Sequence, residues 1–405
     1  MEEERRLSME QENALEMCCD MSNTIASVTG GAGVGKTLIL GKAYSEIKRM
    51  KKSVVLCAPT GRAAKRIEEL TGIKAKTVHR LLEFPMPWED QDEETDPNMP
   101  RRNKDFPLDE QVVFVDESSM ISPSLYRHLI DALPRGGKIR WFGDNNQLPP
   151  VEEGRPPFFM LLEDFPAIEL TYNYRSGDAI TENAQRILRG ALPLRNAKFE
   201  ILYSDRPIAT LLEFVTEQFT GGDCQIITPT RKGKEGSMRM NPSIQMKFNS
   251  KGPMLRLDRF GKDEAPLAVR AKDKFIWIKN DYKLNLFNGE IGAIDWVDAE
   301  AGELGIVTGE RSVIIPPRVK SYDASRGHII NYDPRKQIEL GYAITTHKAQ
   351  GSEFDTVVYC MSRSQGWLLN RRNFYTGVTR ARHQVILITD RRAMGMSMRR
   401  HEGDV

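Results

Sequence analysis

Cysteine is scarce in this chain: five residues in 405, at positions 18, 19, 57, 224 and 360. The number is odd and no two stand at a metal-ligand spacing, which excludes a disulfide framework and a zinc ribbon and leaves a reduced thiol set. The vicinal pair Cys18-Cys19 reads as helix packing, because neighbouring cysteines rarely bridge. An apolar run of about 18 residues is also missing, so no membrane span is expected. The opening Met1-Glu2-Glu3-Glu4-Arg5-Arg6 has no apolar stretch behind its charges. No secretory signal is therefore expected, and the expected location is the cytoplasm, the host's if the chain is viral. Nor does one sign of charge dominate: 58 Lys and Arg stand against 56 Asp and Glu, a net +2. Any groove for nucleic acid must come from local clustering. Hydrophobic residues at 40% and charged residues at 28% are ordinary for a globular protein, and the length suggests two to four domains at about 150 residues each.

What the chain does have is Thr29-Gly30-Gly31-Ala32-Gly33-Val34-Gly35-Lys36-Thr37, which fits the phosphate-cradling pattern G-x-x-x-x-G-K-[ST]. Thr24 to Val28 before it reads as a buried strand, and Leu38 to Met50 after it has helical spacing. Backbone N–H groups and the positive end of the helix dipole then point at an anion. Lys36 is expected on the β- and γ-phosphates and Thr37 on Mg²⁺. The alternative is a glycine turn that needs only positive φ. Downstream, Val112-Val113-Phe114-Val115 leads into Asp116-Glu117. Two adjacent carboxylates at a strand end suit a metal-holding Asp116 and a Glu117 that orients or deprotonates water, unless they merely cap the next helix. A further strand ends in Phe142-Gly143-Asp144-Asn145-Asn146-Gln147-Leu148-Pro149-Pro150-Val151, where the Gln147 carboxamide is a candidate γ-phosphate sensor.

Strand-like runs at Ser53–Cys57, Val112–Val115, Ile139–Phe142, Gln225–Thr228, Thr356–Cys360 and Val385–Thr389 alternate with helical patterns, which predicts an α/β protein with two parallel sheets. Between Phe84 and Pro107 the chain turns to proline, acid and a few aromatics, an insertion that reads as a hairpin or loop. From Phe287 to Tyr332, alternating apolar stretches with Gly and Asn turns predict a small β subdomain. Met394, Met396 and Met398 among Arg391, Arg392, Arg399 and Arg400 read as a frayed, solvated tail.

Further segments resemble those of the superfamily 1 helicases, most closely the RecD-like branch, in the family's order from about Leu7 to Arg382. They are Leu7-Ser8-Met9-Glu10-Gln11, Ala58-Pro59-Thr60-Gly61-Arg62-Ala63-Ala64, Thr77-Val78-His79, Gly143 to Val151, Leu170-Thr171-Tyr172-Asn173-Tyr174-Arg175-Ser176, Asn280-Asp281-Tyr282 with Phe287 to Gly292, Tyr342 to Phe354, and Tyr375 to Arg382. The resemblance implies two tandem RecA-like parallel-sheet domains. The first would span 1–83 and 108–170, with a pin or loop at 84–107, and the second 171–286 and 338–405, with a small β-barrel-like insertion at 287–337. It also implies ATP and Mg²⁺, with Gln11 reading adenine, Tyr174 stacking on the base, Arg175 and Arg380 reaching the γ-phosphate, and Gly351 and Glu353 at the nucleotide. Pro59, Thr60, His79, Thr346 and His347 would touch single-stranded DNA, although a lone Thr or His serves equally as a satisfied turn residue. Movement 5′→3′ on single-stranded and partial duplex DNA follows from the resemblance, as do replication or recombination proteins as partners. Phe84 and Trp88 would part the duplex, or would tuck back onto the first domain.

Distal arginines also make physical sense, since guanidinium donors best stabilise charge on a γ-phosphoryl group and would couple ATP to domain closure. A helicase or translocase is therefore expected, with an ATP-switched DNA-binding scaffold as the competing reading. A small-molecule kinase explains neither Gly143–Val151 nor the C-terminal segments.

Overall fold

Strands that read as unbroken apolar runs are covered on both faces, as parallel strands between helices must be. The computed structural model describes residues 6–85, 99–174, 179–214, 223–257, 266–281, 283–323 and 328–400. Two compact units result: Met1–Ser176 with Tyr322–His328, and Gly177–Ser321 with Ile329–Val405.

In the first unit, β1 (Ile25–Gly30), β2 (Val54–Ala58), β3 (Ala75–Thr77), β4 (Val112–Val115), β5 (Lys138–Gly143) and β6 (Ala167–Leu170) form a sheet in the order β3-β2-β4-β5-β1-β6. Every pairing is parallel. The two-residue period of a strand divides its side chains between two cores. Val112 and Phe114 join one with α1 (Met9–Cys19), α2 (Lys36–Arg49) and α3 (Gly61–Thr71). Val113 and Val115 join the other with α4 (Val78–Leu81), α5 (Pro123–Asp131) and α6 (Pro157–Asp164). Arg140 on β5 is wholly buried and fastens the end of α1: its guanidinium donates to the carbonyls of Cys18 (2.7 Å), Asp20 (2.9 Å) and Asn23 (3.0 Å). Carbonyls left over at a helix C-terminus need such partners.

The second unit repeats the plan with α7 (Ala179–Leu188), β7 (Phe199–Tyr203), α8 (Pro207–Phe214), β8 (Cys224–Thr228), α9 (Ser237–Phe248), β18 (Ala343–Thr345), α10 (Thr346–Ala349), β19 (Phe354–Met361), α11 (Arg371–Val378), β20 (Ala381–Thr389) and α12 (Arg391–Arg399). Its parallel sheet runs β18-β8-β19-β20-β7. Inserted before β18 are a two-stranded sheet of β9 (Met254–Leu257) and β10 (Leu267–Arg270) and an antiparallel sheet in the order β14-β13-β12-β11-β17. The latter is built from β11 (Lys274–Trp277), β12 (Ile291–Asp298), β13 (Glu303–Thr308), β14 (Arg311–Ile315) and β17 (Ile338–Leu340), so it extends beyond the 287–337 expected on both sides. Phe275-Ile276-Trp277 is apolar throughout and carries no alternation to mark it as antiparallel. β15 (Val319–Asp323) and β16 (His328–Tyr332) make a further pair.

Gly377 on α11 faces the ring of Tyr359, where a Cβ would come within 2.1 Å of a ring carbon. Only glycine lets this helix lie directly on β19. The expected solvated tail is instead α12, capped by Asp390 and burying Met394 and Met398. Residues four apart share a helix face, so the two methionines point inward together.

Candidate nucleotide site and nucleic-acid edge

At the C-terminal end of β1 the chain turns through Gly30 (φ 154°), Gly33 (φ 83°) and Gly35 (φ 89°) into α2. Gly35 combines two requirements: its left-handed φ, and a Cβ that would stand 2.5 Å from Gln11 Nε2. Lys36 Nζ lies across the loop, donating to the carbonyls of Gly30 (2.7 Å) and Gly31 (2.8 Å). Thr37 is half-buried in the first turn of α2. Gly31, Ala32 and Gly33 form the half-buried rim, and Val34 is buried.

Ser8 and Gln11 close a capping box at the start of α1, and Gln11 Nε2 donates to Val34 O (3.1 Å), which ties that helix to the loop. On the other flank, Asn173 Nδ2 donates to Ala32 O (2.9 Å), Tyr174 N to Gly33 O (3.3 Å), and Tyr174 Oη to Gln11 Oε1 (2.6 Å). Glu10 accepts from Thr171 N (2.7 Å), Thr171 Oγ1 (2.5 Å) and Tyr172 N (3.2 Å). Those bonds hold its carboxyl below the usual range. Asn145 N donates to Thr29 Oγ1 (3.3 Å), joining the loop after β5 to the end of β1. Glu10, Asn145, Asn173 and Arg140 were not singled out from sequence. Three of them lie inside quoted motifs, but their partners are more than a hundred residues away in the chain.

Asp116 and Glu117 leave β4 as expected. Glu117 has φ 51°, a left-handed conformation rarely taken by a non-glycine residue, and its N–H donates to Asp116 Oδ1 (2.8 Å). Burial, and then the charge of Glu117, push the Asp116 carboxyl up to about 6 against the opposing pull of Lys36 and Arg66. Two like charges so placed favour a cation between or beside them. No group of three or more His, Cys, Asp or Glu gathers among the described residues. The donors at hand are the adjacent Asp116 and Glu117 carboxylates and the Thr37 hydroxyl, a set that fits Mg²⁺, which keeps several waters and binds through one or two carboxylates plus phosphates. Gln147 is buried, with Nε2 at 3.4 Å from Asp144 Oδ2 and Oε1 unpartnered. A buried, unmatched carboxamide oxygen is an acceptor available to a water or a polar ligand.

In the second unit, Arg380 follows α11 and is 4% exposed. It donates to Thr376 O (3.1 Å), Ser352 O (3.5 Å) and Thr379 Oγ1 (3.2 Å), all neutral oxygens, and no carboxylate pairs with it among the described residues. An uncompensated buried cation is costly, which suits a residue that meets an anion in its working state. Gly351 (φ 69°) and half-buried Glu353 lie just before β19. Arg175 lies outside the described residues, as does Trp88.

The residues expected to touch DNA behave unequally. Thr60 caps α3, accepting from Ala63 N (3.2 Å), and with Pro59 is half-buried at the end of β2. His79 is partly open to solvent and its ring lies 5.0 Å from that of Phe84, which meets His128 at 5.7 Å. Phe84 is therefore tucked against the first unit. Thr346 corrects the expectation of an open-edge contact: it is wholly buried, its hydroxyl turned toward Thr228 O and Tyr359 Oη, each at 3.5 Å. Beside it His347 is half-buried, and burial holds its imidazole below the ordinary range, so near neutral pH it is an uncharged donor and acceptor.

Residues 6–203 match the family described as AAA domain, and 340–388 the UvrD-like helicase C-terminal domain. The chain is 32% identical over 381 residues to the ATP-dependent RecD2 DNA helicase of Deinococcus radiodurans, covering 93% of the chain and 48% of that protein. It belongs to the RecD-like branch of the superfamily 1 helicases. Another relative of this RecD-like chain is the RecBCD enzyme subunit RecD of Mycolicibacterium smegmatis, 26% identical over 91% of the chain and 69% of that protein. The chain thus spans about half the length of the RecD2 relative. In fold, it is similar to a Pif1 helicase from Bacteroides in complex with ADP-AlF3 and ssDNA (TM-score 0.60, 17% identity, 95% of this chain and 92% of that one). Pif1 helicase from Candida albicans is similar to the same degree (TM-score 0.60, 18% identity, 97% of each chain). Both likenesses agree with two RecA-like domains in this RecD-like chain.

Proposed function

We propose that the chain is a DNA-stimulated ATPase that moves 5′→3′ along single-stranded DNA and separates duplex ahead of it. The observation that carries the reading is that the Lys36 loop and the Asp116-Glu117 carboxylates leave the C-terminal ends of β1 and β4, the two strands that flank β5 in one parallel sheet. In the proposed reaction the loop amides and Lys36 hold the β- and γ-phosphates, and Gln11 and Tyr174 hold the base. Glu117, fixed in its left-handed turn, orients a water and takes its proton as the water oxygen bonds to the γ-phosphorus and the bond to the β-oxygen breaks. Mg²⁺, held by Thr37 and Asp116, would neutralise charge on the phosphates when bound. Gln147 orients the water or the γ-phosphate, and Arg380 and Arg175 donate to the γ-phosphoryl oxygens. Gly351 and Glu353 complete the nucleotide contacts.

Single-stranded DNA is assigned to Pro59, Thr60, His79 and His347, with Thr346 placing His347 from beneath. The domains are proposed to run 1–83 with 108–170 and 171–286 with 338–405, and the insertion at 84–107 to work at the fork through the part beyond Phe84. Its base is held by Arg101 N to Glu83 O (3.3 Å) and Arg102 N to Leu82 O (3.1 Å). Replication or recombination proteins are the proposed partners, and the cytoplasm, where ATP and DNA meet, the proposed location. No described helix is long and apolar enough to cross a membrane.

Strand displacement on partial duplexes with a 5′ or a 3′ overhang tests the reading. Unwinding from the 5′ overhang, with ATP turnover stimulated by single strands, is expected. Unwinding only from the 3′ overhang overturns the polarity. Turnover without any unwinding favours the ATP-switched scaffold, and removal of Trp88 to Asn98 without loss of unwinding overturns the pin.

A further inference from the structure

The Gln11 carboxamide is almost fully engaged, and by groups whose roles leave its orientation unambiguous. Oε1 accepts from the backbone N–H of Ser8 (3.2 Å) and from the Tyr174 hydroxyl (2.6 Å), which must be the donor because a carbonyl oxygen cannot donate. Nε2 gives one of its two hydrogens to the backbone carbonyl of Val34 (3.1 Å). The oxygen has two lone pairs, so one N–H is the only hydrogen-bonding position left on a side chain that is 2% exposed. A carboxamide that pairs with the N6/N7 edge of adenine must donate to N7 and accept from N6. The donor is available and the acceptor is not.

Resting on ATP as the nucleotide, we propose that Tyr174 is a specificity-determining residue that competes with adenine for Gln11. The Ser8 bond belongs to the capping box of α1, and Nε2 is held at the loop by Val34 O in the space that Gly35 leaves by having no Cβ, so the Tyr174 hydroxyl is the partner that yields. Adenine entering against Gln11 breaks the Tyr174 hydroxyl bond, while the bonds from Asn173 Nδ2 to Ala32 O and from Tyr174 N to Gly33 O keep this end of the Thr171–Tyr174 segment on the loop. The other end stays fixed by three bonds to Glu10. Guanine presents acceptors at both O6 and N7, so it gains nothing from a freed Oε1 and does not displace the hydroxyl. Tyr174 therefore sets how strongly the site prefers adenine, and it does so only through Gln11.

The experiment is calorimetric titration of ADP, GDP and tripolyphosphate into the full chain as wild type, Tyr174→Phe, Gln11→Ala and the double variant. Phenylalanine keeps the ring and removes the competing hydroxyl. Expected is ADP binding about 3- to 10-fold tighter in Tyr174→Phe, the worth of one released hydrogen bond, with GDP and tripolyphosphate unchanged and the gain absent on the Gln11→Ala background. ADP affinity unchanged or weakened in Tyr174→Phe overturns the proposal, as does an equal gain for tripolyphosphate or a gain that survives Gln11→Ala. A wild type that binds none of the three overturns instead the nucleotide reading on which the proposal rests.

Discussion

The two units carry the same kind of parallel sheet, yet the loops at their strand ends are satisfied in opposite ways. After β1, glycines make the turn and the side chain that matters, Lys36, bonds only the loop's own carbonyls. After β8, the turn is filled by side chains: Gln365 donates to Thr228 Oγ1 (2.7 Å) and Glu235 O (3.1 Å), and Thr228 Oγ1 donates to Glu235 O (3.0 Å). A parallel sheet therefore does not make a phosphate site by itself. The site needs backbone N–H groups left free by a glycine turn at a helix start, whereas at the start of α9 the N–H groups of Ser237 and Met238 donate to Thr230 O and Arg231 O (3.0 Å each). What the second unit offers in exchange is Arg380, a buried cation with neutral neighbours.

The largest expected effect tests the first half of that comparison. Lys36→Ala should abolish ATP hydrolysis and leave single-strand binding largely intact, measured as steady-state turnover beside anisotropy of a labelled oligonucleotide. Turnover near wild type would remove the first unit from the chemistry. The second half rests on Arg380. Arg380→Ala should lower DNA-stimulated turnover about 10³-fold, the usual worth of an arginine on a transferring phosphoryl group. Arg380→Lys keeps charge but not the planar donor fork and should recover only a small part. If both variants melt as wild type and hydrolyse normally, the buried cation is structural.

Glu117→Gln should lower turnover by about 10²- to 10³-fold while nucleotide still binds, because only the proton acceptor is lost. Normal hydrolysis in that variant would return Glu117 to a capping role.

The parts of this comparison that were legible in sequence are those with local causes. The glycine loop, the carboxylates after an apolar strand and the central strands β2, β4, β5, β8, β19 and β20 all announce themselves within a short window. β6 does not: Ala167-Ile168-Glu169-Leu170 is an edge strand with two exposed positions and no clear period. β3 and β18 are three residues long, too short for any pattern to form. The bonds between Glu10 and Thr171 span 161 residues, and only the folded chain shows them. Met394 and Met398 were misread because their arginine neighbours outweighed a four-residue spacing that fits one helix face.

The smallest effects separate two threonines that look alike in sequence, each just beyond the end of a strand. Thr60 holds the N-terminus of α3 through Ala63 N and remains at the surface. Thr346 is buried, with its hydroxyl only 3.5 Å from each acceptor, at the limit of a hydrogen bond. Thr60→Ala should cost about 1 kcal/mol through the lost cap and weaken single-strand binding as well. Thr346→Val, which keeps the shape and removes a poorly bonded hydroxyl, should change stability by less than about 1 kcal/mol and leave DNA affinity unchanged, whereas His347→Ala beside it should lower affinity. Thermal melting and oligonucleotide anisotropy on the three variants decide the matter. A loss of affinity in Thr346→Val at unchanged melting temperature would mean that its hydroxyl turns outward to the strand, and that the two threonines serve the same purpose after all.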